Sequence, residues 1–411
     1  MNVRHYGVVT AAYWAFTLTD GALRLLVLLH FHELGYTPIQ LATLFLLYEF
    51  FGIVTNFVGG WLAARAGVRA TLIGGMTLQV AALAMLAALD PSWPRAWSVA
   101  YVMICQALSG IAKDLTKMSA KSAIKTLVPG DDRGGLFKWV ALLTGSKNAL
   151  KGVGFFVGGF LLSAAGFRTA LVVMAGVLVA ILACVLLLLP AGLGRPTKKP
   201  PFTAVLSTSA GINRLSAARV FLFAARDVWF VVSVPVFLSS ALGWDFMRVG
   251  GFLALWVIGY GLIQGGAPLI LRKVVGTSAP GRRVAGTLGV GLAVVTAVMP
   301  LALYAGWPAP PVVLAGLAVF GVVFALNSSV HSYLVLAYAA TDRVSMDVGY
   351  YYMANAAGRL VGTLLSGVTY QWGGLPAALW TAAAFGLLAG LIGWSLPAVQ
   401  MHVGAGAGGD E

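Results

Sequence analysis

The sequence predicts an all-α integral membrane protein, with twelve transmembrane helices in two pseudo-symmetric six-helix halves. Hydrophobic residues make up 59% of the 411 positions and charged residues only 10%, and the mean hydropathy is +0.88. Such a chain lacks the polar surface that a soluble domain needs. Apolar stretches of about 20 residues, the length of one bilayer crossing, recur twelve times along it. A third observation is an internal repeat, which divides these stretches into two sets of six.

The twelve apolar stretches are separated by segments rich in glycine and proline, such as Pro129–Gly135 and Gly373–Pro376, which favour turns. The first stretch follows the N-terminus without a small-residue cleavage site, so we expect it to remain as a helix. The stretches centre near Asp20, Phe51, Ala81, Cys105, Leu150, Val179, Val228, Gly259, Val294, Ala325, Leu360 and Phe385.

The repeat has an offset of 208 residues. It relates Leu34-Gly35-Tyr36, after the first helix, to Leu242-Gly243-Trp244, after the seventh, and it also superimposes three glycines of the fifth helix on glycines of the eleventh. We therefore predict two parallel halves. Residues 1–190 form the first, 191–214 a polar connector, and 215–411 the second half with a short cytoplasmic tail.

Basic residues predict the orientation. The odd-numbered loops hold only Arg95, Arg168 and Arg248. Because loops rich in lysine and arginine stay cytoplasmic, both termini are expected in the cytoplasm, and the net charge of +14 reflects topology rather than nucleic-acid binding. The N-terminus and the even-numbered loops hold Arg4, Arg65, Arg69, Lys121, Lys125, Arg133, Arg195, Lys198, Lys199, Arg214, Arg272, Lys273, Arg282, Arg283 and Arg343.

Charged residues inside the apolar stretches are the candidate functional groups, since an unpaired charge within a bilayer costs several kcal/mol. Cations outnumber acids there, so an anionic solute passing through a cavity is expected to supply the missing negative charge. The mid-membrane cations are Arg24, Lys147, Lys151, Arg226 and Arg359. The acids are Asp20, Glu49, Asp114 and Asp227.

In the N-terminal half, Asp20 and Arg24 are four residues apart on one helix and can pair. This pair is either structural or part of the transport pathway. Glu49 has no lysine or arginine within a helical turn in sequence, and a lone buried carboxylate suits a reversible proton site. Alternatively, Glu49 is a partner of Arg24. Asp20, Glu49 and Asp227 are the proton-coupling candidates.

Lysines form two groups at helical spacing. Lys113 and Lys117 lie deep enough in the fourth helix to form an anion funnel, whereas Lys121 and Lys125 are expected to reach lipid headgroups. In the fifth helix, Lys147 and Lys151 share a face with Asn148 between them. Two lysines on one face repel each other, so substrate is their expected partner.

In the C-terminal half, Arg226 beside Asp227 and Arg359 on the eleventh helix suit a tetrahedral oxyanion, because arginine donates two parallel hydrogen bonds. An inter-half lock formed by Arg226 and Asp227 is the alternative. Asn327 on the tenth helix is a candidate neutral donor. The chain contains no catalytic motif or thiolate metal site, so we expect neither an enzyme nor a cofactor.

The segment Gly60-Trp-Leu-Ala-Ala-Arg65-Ala-Gly67-Val-Arg69 resembles the loop motif of the major facilitator superfamily, although Ala64 replaces the usual acid. Gly154-Phe-Phe-Val-Gly158-Gly159 is similar to that superfamily's glycine-rich antiporter motif and also suits close helix packing. The resemblance implies a secondary active transporter whose halves rock about a midplane site.

Three longer strings resemble the bacterial arsenical-resistance permeases of the ArsJ family: Tyr13 to Arg24, Leu47 to Asn56 and Ala112 to Lys125. That resemblance implies efflux of the organoarsenical 1-arseno-3-phosphoglycerate across the inner membrane. It also implies functional pairing with glyceraldehyde-3-phosphate dehydrogenase, which forms the adduct.

An exporter of a phosphorylated organic anion that confers arsenate resistance is therefore the expected function. We expect a monomer surrounded by membrane lipids. An organic-phosphate/phosphate exchanger is the nearest alternative, and a membrane-embedded enzyme that acts on an anionic lipid is more remote.

Overall fold

A computed structural model describes residues 3–127, 133–190, 193, 209–276, 280–339 and 344–398. Its regular structure, within those ranges, is entirely helical. The connector segment Arg195–Pro201 and the side chains of Arg65, Lys121 and Lys125 lie outside the described part. The helices are α1 (Val3–Glu33), α2 (Pro38–Thr43), α3 (Leu46–Ala66), α4 (Val68–Ala87), α5 (Arg95–Leu127), α6 (Arg133–Leu188), α7 (Ala210–Phe230), α8 (Ser233–Ser240), α9 (Phe246–Val275), α10 (Arg282–Tyr304), α11 (Ala309–Tyr338) and α12 (Val344–Trp394).

Twelve crossings follow from these helices. Nine segments of the described chain are long and apolar enough to span a membrane. Two of them bend at glycines with left-handed backbone, Gly166 at φ 75° and Gly374 at φ 62°, a conformation that side chains disfavour, so each supplies two crossings. The 33-residue α5 is also long enough to span, although it is more charged. The predicted membrane fold is confirmed.

Two of the crossings are broken helices. The second consists of α2 and α3, and α2 begins with a capping box between Thr37 and Gln40. The seventh consists of α7 and α8. At its break the hydroxyl oxygen of Ser366 accepts hydrogen bonds from the backbone N–H groups of Val232 and Ser233, each at 3.1 Å. These bonds satisfy backbone donors that an interrupted helix leaves free.

The C-terminal half begins earlier than expected. Residues 210–214, predicted to belong to the connector, form the first turn of α7 instead. The physical reason is an N-cap, since the Ser209 side chain accepts a hydrogen bond from the backbone N–H of Ile212.

Close helix packing follows the 208-residue offset. Gly154 of α6 packs against α1 of its own half, and a Cβ placed there would lie 2.5 Å from the Leu18 carbonyl oxygen. Its counterpart in the repeat, Gly362 of α12, packs against α7, where a Cβ would lie 2.9 Å from the Ala224 carbonyl oxygen. Gly159 and Gly367, also 208 apart, both pack against the opposite half. The glycine-rich segment of α6 therefore serves helix packing.

The bundle has two ends, which we call the terminus end, where α1 begins and α12 ends, and the distal end. At the distal end, hydrogen bonds join the two halves. His32 Nε2 lies 2.8 Å from the Ser240 hydroxyl, and the backbone N–H of Ile39 donates to the Gln371 side chain at 3.1 Å. The halves are thus closed together at the distal end.

Candidate functional site

A cavity of about 220 Å³ lies between the two halves and is lined by residues of both. A second cavity of about 170 Å³ adjoins it. We call the first the C lobe, because α7 and α9 provide much of its wall, and the second the N lobe, because residues of α1, α3 and α5 line it. Both lobes are lined by Lys147, Lys151, Tyr352, Asn355 and Arg359.

An ionic cluster joins the halves beside this cavity. Glu49 is fully buried, and its Oε1 lies 3.0 Å from Arg24 Nη1 and 2.6 Å from Arg359 Nη2. Arg24 and Glu49 belong to the N-terminal half, whereas Arg359 belongs to α12 in the C-terminal half. A single carboxylate oxygen therefore bridges cations from both halves.

Two sequence interpretations change here. Glu49 is not a lone carboxylate, because the fold brings two arginines from other helices to it. Asp20 and Arg24 do not form an ion pair, although they share a face of α1. Arg24 turns toward α3, where its guanidinium lies 4.8 Å from the Tyr48 ring centre, and Asp20 accepts a 2.6 Å hydrogen bond from the Tyr48 hydroxyl.

A second group of charges lies within the C-terminal half. Arg226 Nε donates to Asp227 Oδ1 at 2.6 Å, and Asp227 Oδ2 lies 3.4 Å from Arg359 Nε. Because Arg226 and Asp227 are neighbours on α7, they cannot lock the two halves to each other, and that alternative is wrong. Among the described residues, the ion pair between the halves is formed by Glu49 and Arg359.

The N lobe contains a connected polar network. Lys117 Nζ donates to Asn56 Oδ1 at 2.8 Å and pairs with Asp114, and Asp114 Oδ2 accepts from Thr55 at 2.9 Å. Lys113 instead places its ammonium 4.0 Å from the Tyr48 ring centre. Lys113 and Lys117 therefore have different surroundings despite their shared helical face.

Three cations at the cavity have no acidic partner among the described residues: Lys113, Lys151 and Arg219. Lys113 lies in the N lobe, Arg219 in the C lobe, and Lys151 in both. A cation in a membrane interior normally has a counter-charge. The arrangement therefore suits an anion that enters the cavity and contacts both lobes.

The described walls of both lobes carry eight basic and three acidic side chains. Basic groups still exceed acidic ones by four when Glu49, which contacts two of them, is included. The basic residues are Arg24, Lys113, Lys117, Lys147, Lys151, Arg219, Arg226 and Arg359, and the acidic residues are Asp20, Asp114 and Asp227.

The structure places one predicted residue outside the cavity wall. Asn327 is fully buried in α11 and lines neither lobe. Successive helix residues are rotated by about 100°. The neighbouring face therefore borders the cavity, with Ser332 in the wall of the C lobe and Ser328 one turn before it.

Arg219 and Asn355, which the sequence places beside Arg226 and Arg359 on their helices, also line the C lobe. Arg219 donates from Nε to Asn355 Oδ1 at 2.9 Å and from Nη1 to the Ser328 hydroxyl at 3.1 Å, so three helices of one half fix its position. The spacing of Arg219 and Arg226, two turns apart, was the available sequence signal. Across the halves, Asn148 donates to Gln264 at 3.3 Å, a contact that no sequence spacing indicates.

A bundle of membrane-spanning helices in two halves around a charged central cavity defines a multi-pass membrane transporter. The chain belongs to the Major Facilitator Superfamily, whose sequence profile matches residues 9–334.

Two solved structures show how similar the fold is to that of known transporters. One is a POT family transporter in complex with 5-aminolevulinic acid, with a TM-score of 0.77 and 13% sequence identity. The other is a POT family transporter in complex with a thioalcohol-conjugated peptide, with a TM-score of 0.76 and 14% identity. In both comparisons the alignment covers 95% of each chain. No curated protein sequence matches the chain.

Proposed function

We propose that this transporter exports a phosphorylated organic anion, 1-arseno-3-phosphoglycerate, from the bacterial cytoplasm and thereby confers arsenate resistance. The observation that supports an anionic substrate is the set of three cavity cations without acidic partners among the described residues, Lys113, Lys151 and Arg219. A phosphate group carries about two negative charges at neutral pH. A molecule with a phosphate and an arsenate would neutralise this excess.

The arsenical part of the proposal is supported by the positions of the three segments that resemble the ArsJ family. They contain Asp20, Arg24, Glu49, Lys113 and Lys117, which form the ionic cluster or line the N lobe. The resemblance to arsenical-resistance permeases therefore concentrates at the cavity. The partner is then a glyceraldehyde-3-phosphate dehydrogenase that supplies the adduct, and the membrane is the bacterial inner membrane, with the terminus end toward the cytoplasm.

Glu49 has a specific part in the proposed secondary active mechanism. Its carboxylate occupies a position between Arg24 and Arg359 that a substrate oxyanion would also favour. Substrate that binds these arginines would release Glu49 and break the ion pair between the halves, so that they can rock about the midplane site. An inside-negative potential favours anion export by about 2.3 kcal/mol per charge per 100 mV.

The test of the proposed function is arsenate tolerance in an arsenic-sensitive bacterium. The chain and the dehydrogenase are expressed together or singly, and cellular arsenic is measured. Protection and lowered arsenic only when both are present are the expected results. Protection by the chain alone, against arsenite, would show that the substrate assignment is wrong.

Glu49→Gln is expected to abolish the response of transport to a pH gradient while retaining substrate exchange. The carboxylate can take up a proton once substrate displaces it from its arginines, and the amide cannot. Efflux from proteoliposomes is compared with and without an imposed gradient. Asp245→Asn, at the exposed N-cap of α9, is the control carboxylate.

If Glu49→Gln exports against a gradient as well as the parent does, a potential-driven uniporter is the better description. If the parent ignores the pH gradient but requires internal phosphate, the protein is a phosphate exchanger.

A further inference from the structure

A separate pocket of about 360 Å³ lies at the distal end of the N-terminal half. It is enclosed by the ends of α1 and α4, the start of α5, and the part of α6 that follows Gly166. Its lining residues all belong to one half, so it is distinct from the central cavity between the halves. Rocking of the halves does not require this pocket, and the proposed function gives its lining residues no role.

Two arginines line the pocket, Arg95 and Arg168. They are two of the three basic residues in the odd-numbered loops, at the end where the positive-inside rule disfavours basic residues. The third, Arg248, has a local role beside the N-cap of α9, since its Nε lies 3.7 Å from Asp245 Oδ2. Within the described chain, Arg95 and Arg168 have no acidic partner.

The acidic residue in the pocket wall is already engaged. Asp90 lines the same pocket, but its Oδ1 accepts a 2.9 Å hydrogen bond from the backbone N–H of Ser92. That bond lowers the pKa of the Asp90 carboxyl, which therefore stays charged and bound to its own turn. Arg95 Nη1 also donates to the Gly35 carbonyl oxygen at 3.4 Å, so the remaining N–H groups of the two guanidiniums are available to an external anion.

The rest of the wall is largely aromatic and apolar. The His30 and Phe167 rings stack with their centres 4.0 Å apart, and the Arg95 guanidinium lies 5.3 Å from the Tyr36 ring centre. Trp93 also lines the pocket and is partly exposed. Indole rings at a bilayer boundary favour the headgroup level. The pocket thus combines anion-binding groups with walls for an apolar body.

We infer that this distal pocket binds a phosphate-bearing ligand, with the phosphate between Arg95 and Arg168 and its organic part against Tyr36, Trp93 and Phe167. An anionic phospholipid headgroup and a soluble organic phosphate share this chemistry. The inference is independent of what the central cavity transports.

The experiment uses the purified full-length chain and native mass spectrometry. Phosphatidylglycerol and phosphatidylcholine with the same acyl chains are titrated separately, and soluble glycerol 3-phosphate is added as a competitor. The variants are Arg168→Gln alone and Arg95→Gln with Arg168→Gln. Arg248→Gln is the matched control, because it removes a distal arginine outside the pocket. Melting temperatures without added lipid show whether each variant is folded.

The expected result is a preference of the parent for phosphatidylglycerol, weakened about tenfold for each pocket arginine removed and unchanged in Arg248→Gln. Competition by glycerol 3-phosphate in the parent but not in the double variant would identify a soluble phosphate as the occupant. Lack of such competition would identify the lipid. An equal preference in the parent and the double variant, an equal loss in Arg248→Gln, or no preference in the parent would overturn the inference.

Discussion

Lys151→Ala is expected to reduce substrate binding by about 10- to 100-fold and to abolish measurable export, with little change in expression or melting temperature. Lys151 lines both lobes and has no acidic partner among the described residues. Its removal therefore leaves no buried carboxylate uncompensated, while the substrate loses a charge-assisted hydrogen bond of about 1.5–3 kcal/mol. Substrate efflux from proteoliposomes and the melting temperature of the same preparation are the two measurements.

Two further variants make this result specific. Lys151→Arg keeps the charge and is expected to retain part of the binding. Lys273→Ala removes an exposed lysine in the last turn of α9 and is expected to leave export unchanged. If Lys151→Ala transports normally, Lys151 does not contact substrate; if the variant fails to fold, Lys151 supports the bundle.

Arg359→Gln is expected to abolish export and also to destabilise the protein, which distinguishes it from Lys151→Ala. Arg359 contacts both Glu49 and Asp227. Removing one member of a buried ion pair costs about 3–5 kcal/mol, because the partner charge stays buried. The adjoining cavity and the remaining contact of Glu49 with Arg24 should reduce this cost. Unfolding in detergent by a chemical denaturant measures the loss.

A double-mutant cycle tests whether the loss comes from the Glu49–Arg359 pair. The double variant Glu49→Gln with Arg359→Gln is expected to be more stable than Arg359→Gln alone, since no unpaired carboxylate remains at position 49. Additive losses would show that the two side chains do not interact, contrary to the 2.6 Å contact. Export is expected to stay absent in the double variant, because Arg359 binds substrate in the proposed mechanism.

Local patterns determined the elements of this fold. Apolar stretches of crossing length predicted the twelve helices, and turn-rich breaks such as Gly373–Pro376 fell at real bends, because glycine tolerates backbone angles that end a helix. The same patterns placed charges inside the membrane, since any basic residue in an apolar span is conspicuous. Of the nine binding residues predicted from the sequence, all except Asn327 line the cavity.

The pairing of those charges was decided by the tertiary structure. Helical periodicity predicts that Asp20 and Arg24 share a face, but it cannot predict which neighbouring helix offers either of them a better partner. In the folded chain Arg24 pairs with Glu49, while Asp20 accepts from Tyr48. Glu49 is separated by 310 residues from Arg359. The sequence by itself determined a membrane bundle with an excess of buried cations, and packing between the halves decided which of them are paired, because ion pairs form between side chains that are close in space.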